Sequence, residues 1–382
     1  MNSDKMFDIH RRMDMKDERL WMWFTRIPRI GIAKQRYLLE IFKTPERIWN
    51  SSEEELRSCS RLSQRDITSI IQSKNPNKIQ KWLEELKNKN IQFYSMDHPC
   101  YPTLLKKIYD PPYVIYAKGK KSLIEETTIS IVGARRCSEY GRQMAFYMGK
   151  ELGSRGITVV SGMARGVDSA SHKGTLAGKG RTVAVLGSGV DICYPAENKK
   201  LYEEIIEQGV VLSEFPPGTM PKPAFFPMRN RIISGLSQGI LIVEAAHRSG
   251  SLITADQALE QGRDVYAIPG NITSSLSQGT NHLIQQGAKL VMKVEDILED
   301  IDTQLFDFTE SKKEVFEKDQ GSPLEKEEKI VYDCLSLDPI SIDQLCQKTG
   351  HSPGMLQHIL LVLELKGRVK KVSSQWFVRN EN

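Results

Sequence analysis

Arg229 and Arg231 flank Asn230 in the run FFPMRNRIISGLSQGILIVEAA, residues 225–246, at the mouth of an otherwise apolar helix-then-strand pattern. Two permanent charges beside a core segment require a counter-charge, either a bound anion or a nearby carboxylate. A purely structural alternative pairs one of them with Glu214 or Glu244. Side chains two positions apart on a helix point in different directions, so the two arginines need not share one role.

Five further stretches have the same chemical character. They are VGARRCSEYG (132–141), SGMARGVD (161–168), LGSGVDICYP (186–195), EAAHRSGSLITA (244–255) and IPGN (268–271). Each joins a β-branched run to a polar turn, and nearly all combine glycine with Ser or Arg. Glycine admits backbone N–H groups close to a ligand, a helix N-terminus adds partial positive charge, and hydroxyls add donors, which together make an anion cradle.

Elimination narrows the anion. GTLAGKGRT has three residues between Gly174 and Gly178 and a glycine after Lys179, so it is not a phosphate loop of the Walker type. Gly187-Ser188-Gly189 is followed by Ile192 where a dinucleotide fingerprint needs its third glycine, which disfavours NAD. No Ser-His-Asp order and no carboxylate pair occupies the turns, and His172 and His247 read as helix-start residues rather than general bases. Six cysteines without a C-x-x-C pair argue against a disulfide framework and a structural metal and suit a reducing compartment. No cofactor is expected.

Between Thr128 and Lys293, 18 Lys and Arg stand against 13 Asp and Glu, although the whole chain carries only +5. Many of these cations fall on the strand-end loops: Arg135, Arg136, Arg165, Lys199, Lys200, Lys222, Arg229, Arg231 and Arg248. Beside Ser138, Gly162 and the aromatic pair Phe225-Phe226, they match the needs of single-stranded nucleic acid, spaced cations for phosphates and a π-face for a base.

The elements that must position these residues follow from periodicity. Short apolar runs alternating with helical stretches over 96–301 predict an α/β domain, an extended Rossmann-like, mostly parallel sheet with helices on both faces. Residues 17–95 read as a small all-helical domain, SAM-like or helix-hairpin-helix-like. Its RIPRIGIAKQRYLLEIF has Gly31 but Arg29 in place of the second turn glycine, so a docking role ranks above DNA contact. Residues 1–16 read as a disordered tail and 302–324 as a solvated acidic linker, since Val294–Lys329 holds 13 acidic and 5 basic residues. Residues 325–382 have the order of a winged helix, whose third helix offers a groove little beyond His358 and Lys366. Without an apolar leader or a membrane-length stretch, the chain reads as cytoplasmic with no membrane partner.

The run from SIVGARRC to DVYAIPGN resembles the DprA/Smf family of DNA-processing proteins through many co-linear motifs, with looser correspondence in both flanking domains. The resemblance implies a bacterial protein of natural transformation that binds and protects single-stranded DNA. It also implies loading of RecA recombinase with displacement of single-strand-binding protein, a homodimer formed through the Rossmann-like domain, and no catalytic turnover. It makes Arg135 a phosphate contact, and FPMRNR the source of Arg229, Asn230 and Arg231 with Phe225 or Phe226 against a base and Lys222 nearby. Ser249, Gly250, Ser251 and Thr254 would wrap a phosphate, and one of Lys199 and Lys200 would bind DNA. The enzyme alternative is a phosphoribohydrolase-type nucleotide-processing activity on a related fold. Its P-G-G-x-G-T-x-x-E run is replaced here by EAAHRSGSLITADQA, which lacks the acid at that spacing.

Overall fold

Every residue of the runs Thr128–Val132, Thr158–Ser161, Thr182–Val185, Val210–Ser213 and Gly239–Ile242 is buried. Burial without alternation is the mark of parallel strands covered on both faces. The structure, a computed structural model, describes residues 15–119, 127–301, 326–335, 340–365, 369–373 and 376–379. The expected linker over 302–324, residues 1–14 of the expected tail, Lys366 and the side chain of His358 lie outside them.

The helical segment contains α1 (Met15–Thr25), α2 (Ile32–Phe42), α3 (Pro45–Asn50), α4 (Glu53–Arg57), α5 (Gln64–Ser73) and α6 (Pro76–Asn88). Its punctuation is local chemistry. Ser52 and Ser63 close reciprocal capping boxes at α4 and α5, and Pro45 and Pro76 occupy first-turn positions where no N–H is needed. Then follow β1 (Gln92–Ser95), α7 (Thr103–Lys106), β2 (Val114–Gly119), β3 (Thr128–Val132), α8 (Glu139–Ser154), β4 (Thr158–Ser161), α9 (Val167–Ala177) and β5 (Thr182–Val185). The unit continues through α10 (Lys199–Gln208), β6 (Val210–Ser213), α11 (Phe225–Gly235), β7 (Gly239–Ile242), α12 (Gly250–Glu260), β8 (Asp264–Ala267), α13 (Gln278–Gln285), β9 (Lys289–Leu290) and α14 (Glu295–Leu298).

The nine strands lie in the order β1-β2-β6-β5-β4-β3-β7-β8-β9, and from β6 to β9 every pairing is parallel. The mostly parallel sheet expected from the short apolar runs is present, its parallel part formed by the seven strands β3 to β9. β1 and β2 add an antiparallel edge that the pattern of apolar runs does not predict, because both strands are short.

Alternate residues of one strand feed different cores. Val183 and Val185 join Ile232, Ile233 and Leu236 of α11 on one face. Ala184 and Leu186 join α10 on the other, where the cluster runs on into Trp21, Trp23, Phe24, Leu38 and Ile48 of the helical segment. The helices and the sheet therefore share one core within a single compact unit, 1–302, and the expected boundary at 95/96 falls at the end of β1. The second unit holds α15 (Lys326–Asp333), β10 (Ile340–Ser341), α16 (Ile342–Thr349), α17 (Pro353–Leu365), β11 (Val369–Ser373) and β12 (Trp376–Arg379). Its strands pair in the order β10-β12-β11 over a core that includes Leu345, Leu356, Leu360 and Phe377, the winged-helix arrangement. No helix among the described residues is long and apolar enough to cross a membrane.

His172 lies inside α9, fully buried, rather than at a helix start. Thr182 Oγ1 donates to Val159 O, so it accepts from Nδ1–H of His172 at 2.6 Å, which leaves Nε2 as a buried lone pair without a partner. Protonation there would place an unsatisfied charge in the core. Burial first, and the charge of Arg229 second, hold the imidazole pKa down to about 3. A folded-state value below the unfolded one, about 6.5, contributes stability that is fully present above that pH. The contribution is lost as pH falls through 6.5 towards 3, at up to about 1.4 kcal/mol per pH unit. Denaturant unfolding across that window should therefore show a shallower pH slope in His172→Gln than in the parent, and equal slopes would rule out the neutral assignment.

Candidate nucleic-acid interface

From β3 the sheet grows through β4, β5 and β6 on one side and through β7, β8 and β9 on the other. The loops after β3 and β7 therefore diverge, and this switch point at the carboxyl edge is where open α/β sheets bind ligands. The two loops are bonded to each other. Ala134 N donates to Glu244 O at 2.7 Å, and Ser138 donates to the Glu244 carboxylate from N at 2.8 Å and from Oγ at 2.5 Å. Ser138 Oγ also accepts from Gly141 N to cap α8. Its hydroxyl is thus engaged in joining the loops and starting a helix.

The arginines of FPMRNR are placed differently from the resemblance-based expectation. Arg229 is 4% exposed, and its Nη1 donates to the carbonyls of Gly162, at 2.7 Å, and of Val185. It thereby bridges the carboxyl ends of β4 and β5. Burial pushes its pKa down, to about 10, while Asp168 pulls the other way, so the guanidinium stays charged at neutral pH. Asp168 is itself raised by burial and drawn back by Arg229. A Cβ on residue 162 would stand 2.6 Å from the Arg229 guanidinium, so Gly162 is required by this packing rather than by an approaching ligand.

Arg231, 6% exposed, donates from Nε to Asp110 at 2.9 Å and from Nη2 to Glu214 at 2.7 Å. The structural alternative foreseen for one of the pair holds here, with Glu214. Burial opposes its charge, but Glu214 and Asp110 more than offset this and hold the guanidinium above its ordinary value. Both guanidinia are bonded within the protein and screened from solvent, which is an anchoring placement rather than an open one. Asn230 is half-buried between them, and its Oδ1 accepts from Arg229 Nε at 3.2 Å.

Two of the cations that face solvent sit on aromatic rings. Arg135 lies over Phe226 at 5.2 Å and Lys222 over Phe225 at 5.6 Å. Phe225 is stacked on Phe215 with centroids 4.2 Å apart, and Phe226 lies 5.6 Å from Tyr194. A Cβ at residue 187 would stand 3.0 Å from the Phe226 ring, so Gly187 lets the phenyl lie on the end of β5. Phe215 and Tyr194 are members of this floor that sequence reasoning missed. Their only signal is an aromatic residue beside a proline at a strand end, as in SEFPP and ICYP.

Arg135, Arg136 and Arg165 also line an open groove of about 660 Å³, joined there by Arg142 and Lys173, which were likewise not foreseen. Arg165 forms a two-point pair with the exposed Glu197, at 2.6 and 2.7 Å. Lys199 and Lys200 are both exposed at the start of α10. Lys200 lies 3.9 Å from Glu204, while the charge of Lys199 reaches Cys193 in the loop after β5.

The turn after β7 opens directly into α12. Ser249 caps α12, accepting from Ser251 N at 3.3 Å, and Gly250 is exposed. Ser251, 7% exposed, shares a 2.7 Å hydroxyl contact with Ser249. Thr254 is 2% exposed and donates back to Gly250 O, so it supports the turn from within.

Fold and site together define a Rossmann-like protein with a cationic, aromatic carboxyl edge and an appended winged helix. The sequence profile of the DNA recombination-mediator protein A family matches residues 92–302, and that of the DprA winged helix domain matches residues 317–374. The chain belongs to this DprA/Smf family. It is 43% identical to DNA processing protein DprA of Bacillus subtilis (strain 168), over 61% of this chain and 79% of that one. Protein Smf of Escherichia coli (strain K12) is 42% identical over 58% of each chain. The X-ray structure of DprA from Streptococcus pneumoniae matches with a TM-score of 0.66 at 33% identity, covering 74% of this chain and 98% of that one. The Helicobacter pylori protein, whose structure was described for its single-stranded DNA binding mode, matches with a TM-score of 0.51 at 29% identity, over 56% and 97%.

Truncating Arg231 would strand Glu214, whose side chain is 10% exposed. Loss of one partner of a buried pair costs about 3–5 kcal/mol. Chemical unfolding of Arg231→Ala should show a loss of that size, whereas Arg135→Ala should unfold like the parent. A stable Arg231→Ala would remove the pair from its structural role.

Proposed function

We propose that the chain binds single-stranded DNA along the carboxyl edge of its sheet, protects it, and loads RecA recombinase on it during natural transformation. The observation that carries the reading is the pair of solvent-facing cations held on aromatic rings, Arg135 on Phe226 and Lys222 on Phe225. An exposed cation–π contact is worth about 0.5–1 kcal/mol, and a hydrogen bond to a charged group about 1.5–3 kcal/mol. An arriving phosphate therefore draws the cation off the ring, and the vacated face takes a base, worth about 1–3 kcal/mol. Exchange of this kind suits an unpaired strand, whose bases are free to turn towards the protein.

The contact set on this reading is Arg135, Arg136, Lys199, Lys222, Phe226 and the Ser249-Gly250 turn, with Arg165 available once Glu197 lets go. Of the two lysines on α10, Lys199 is preferred because Lys200 lies 3.9 Å from the Glu204 carboxylate. The names of the relatives and the Helicobacter pylori structure support the same reading. Handover to RecA, displacement of single-strand-binding protein, a homodimer through the Rossmann-like domain and a cytoplasmic setting belong to this proposal as the family resemblance implies them. Exposed Ile253 and Leu259 on α12 and Leu290 and Met292 near β9 supply apolar surface for self-association. No turnover is assigned, because His172 is buried and Glu244 is committed to Ser138. Incubation with nucleoside monophosphates should release no free base.

Fluorescence anisotropy with oligo-dT tests the edge directly. Arg135→Ala should bind more weakly and lower the slope of log K against log salt by about 0.7. Phe226→Ala should cost about 1–3 kcal/mol with the slope unchanged. Parent-like binding by both variants would place the strand elsewhere. On strands coated with single-strand-binding protein, adding the chain should speed RecA assembly, and no acceleration would remove the loading role.

A further inference from the structure

A second concentration of unpaired cations lies in the helical segment, outside the site described above. Arg26, Arg29, Arg65 and Lys78 converge on one open groove of about 460 Å³ walled by Trp82 and by the hydroxyl and amide side chains of α5. No carboxylate lines it, and among the described residues none of the four makes an ion pair. Some neighbouring cations are paired, Lys34 with Asp66, Arg57 with Glu53, and Lys89 with Glu85 and Asp191. Four like charges facing one cleft repel each other, and a cleft of one sign focuses its field on an incoming counter-charge.

Two further features point to a ligand. Arg26 and Lys78 both lie over the Trp82 ring, at 4.6 and 5.4 Å; Lys78 is exposed as Arg135 and Lys222 are at the sheet edge, while Arg26 also donates from Nε to the buried Tyr116 hydroxyl at 3.1 Å. Arg29 adopts φ +67°, a conformation that favours glycine, in the turn between α1 and α2. This is the position where a helix-hairpin-helix would carry its second turn glycine. A bulky cation kept where the backbone is strained is an outlier that stability does not explain.

We propose that this groove is a second phosphodiester site, taking a further stretch of the nucleic-acid strand held at the carboxyl edge. Neutral donors between the cations suit the oxygens of successive phosphates. The two sites are physically linked. α6 carries Lys78 and Trp82 near its start, and Lys89, just past its end, bonds Asp191 in the loop after β5 at 2.8 Å. At 1.5 Å per residue Trp82 lies about 10 Å and Lys78 about 16 Å along the helix from Lys89. A strand leaving the edge there reaches the groove within one helix length.

The proposal rests on the DNA reading of the edge, and strand length separates the two. In the full chain, Arg65→Ala/Lys78→Ala removes two exposed cations, and Arg29→Gly removes a third while relaxing the left-handed turn, so a folding defect is not expected from it. Anisotropy with short and long oligo-dT should show short strands bound as by the parent. Long strands should bind several-fold more weakly, with the salt slope lower by about 1.4 in the double variant and about 0.7 in Arg29→Gly. Unchanged long-strand affinity and slope would overturn the proposal. Arg135→Ala should weaken both lengths. If only the groove variants matter, the edge reading fails and the groove stands. A glutamate-rich peptide that binds the parent but not the variants, with dT binding unaffected, would assign the groove to an acidic protein segment and overturn the proposal as well.

Discussion

A charged guanidinium held out of water by backbone carbonyls organises the carboxyl edge of the sheet. Arg229 crosses from α11 to the ends of β4 and β5, and Gly162 exists there because any side chain would collide with it. Desolvating such an ion costs several kcal/mol and is offset only where hydrogen bonds and a counter-charge are well placed. Asp168 supplies the charge, and the strand-end carbonyls supply the acceptors. Arg231 repeats the device one turn face away, tying α11 to Glu214 after β6 and to Asp110 before β2. With α11 locked over the strand ends, the aromatic rings at its start are fixed in place.

That rigidity is what makes the exposed cations useful. Phe225 and Phe226 rest on Phe215, Tyr194 and the bare backbone at Gly187, so Arg135 and Lys222 lie on a platform already ordered before a ligand arrives. One short segment, FFPMRNR, thus supplies both the ligand-facing platform and its buried anchors. Cations of the two kinds differ in burial and in partners, because a guanidinium bonded to buried carbonyls or carboxylates is held in place while one held only by a ring gives its donors up readily.

The helical segment extends this logic. Its aromatic core, with Trp23 packed edge-on against Trp49 at 4.9 Å, is continuous with one face of the sheet. Charges on its surface therefore stand in a fixed relation to the carboxyl edge rather than on a separate, freely placed module.

Much of this was legible in the chain. Continuous β-branched runs announce a parallel sheet because only strands covered on both faces dispense with polar alternation, and glycine-serine turns after them mark the ligand edge. The order of the last helices and hairpin likewise announces a winged helix. β1 and β2 were not legible, since their pairing comes from the sheet they join rather than from their own four to six residues. The sequence by itself determined which residue types crowd the strand ends, and so the anionic character of the ligand proposed there. Only the tertiary structure decided which of them face it: Arg229 and Arg231 are turned inward, whereas Arg135 and Lys222 are not. Side-chain direction depends on where carboxylates and carbonyls from distant strands come to rest, and no local spacing encodes that.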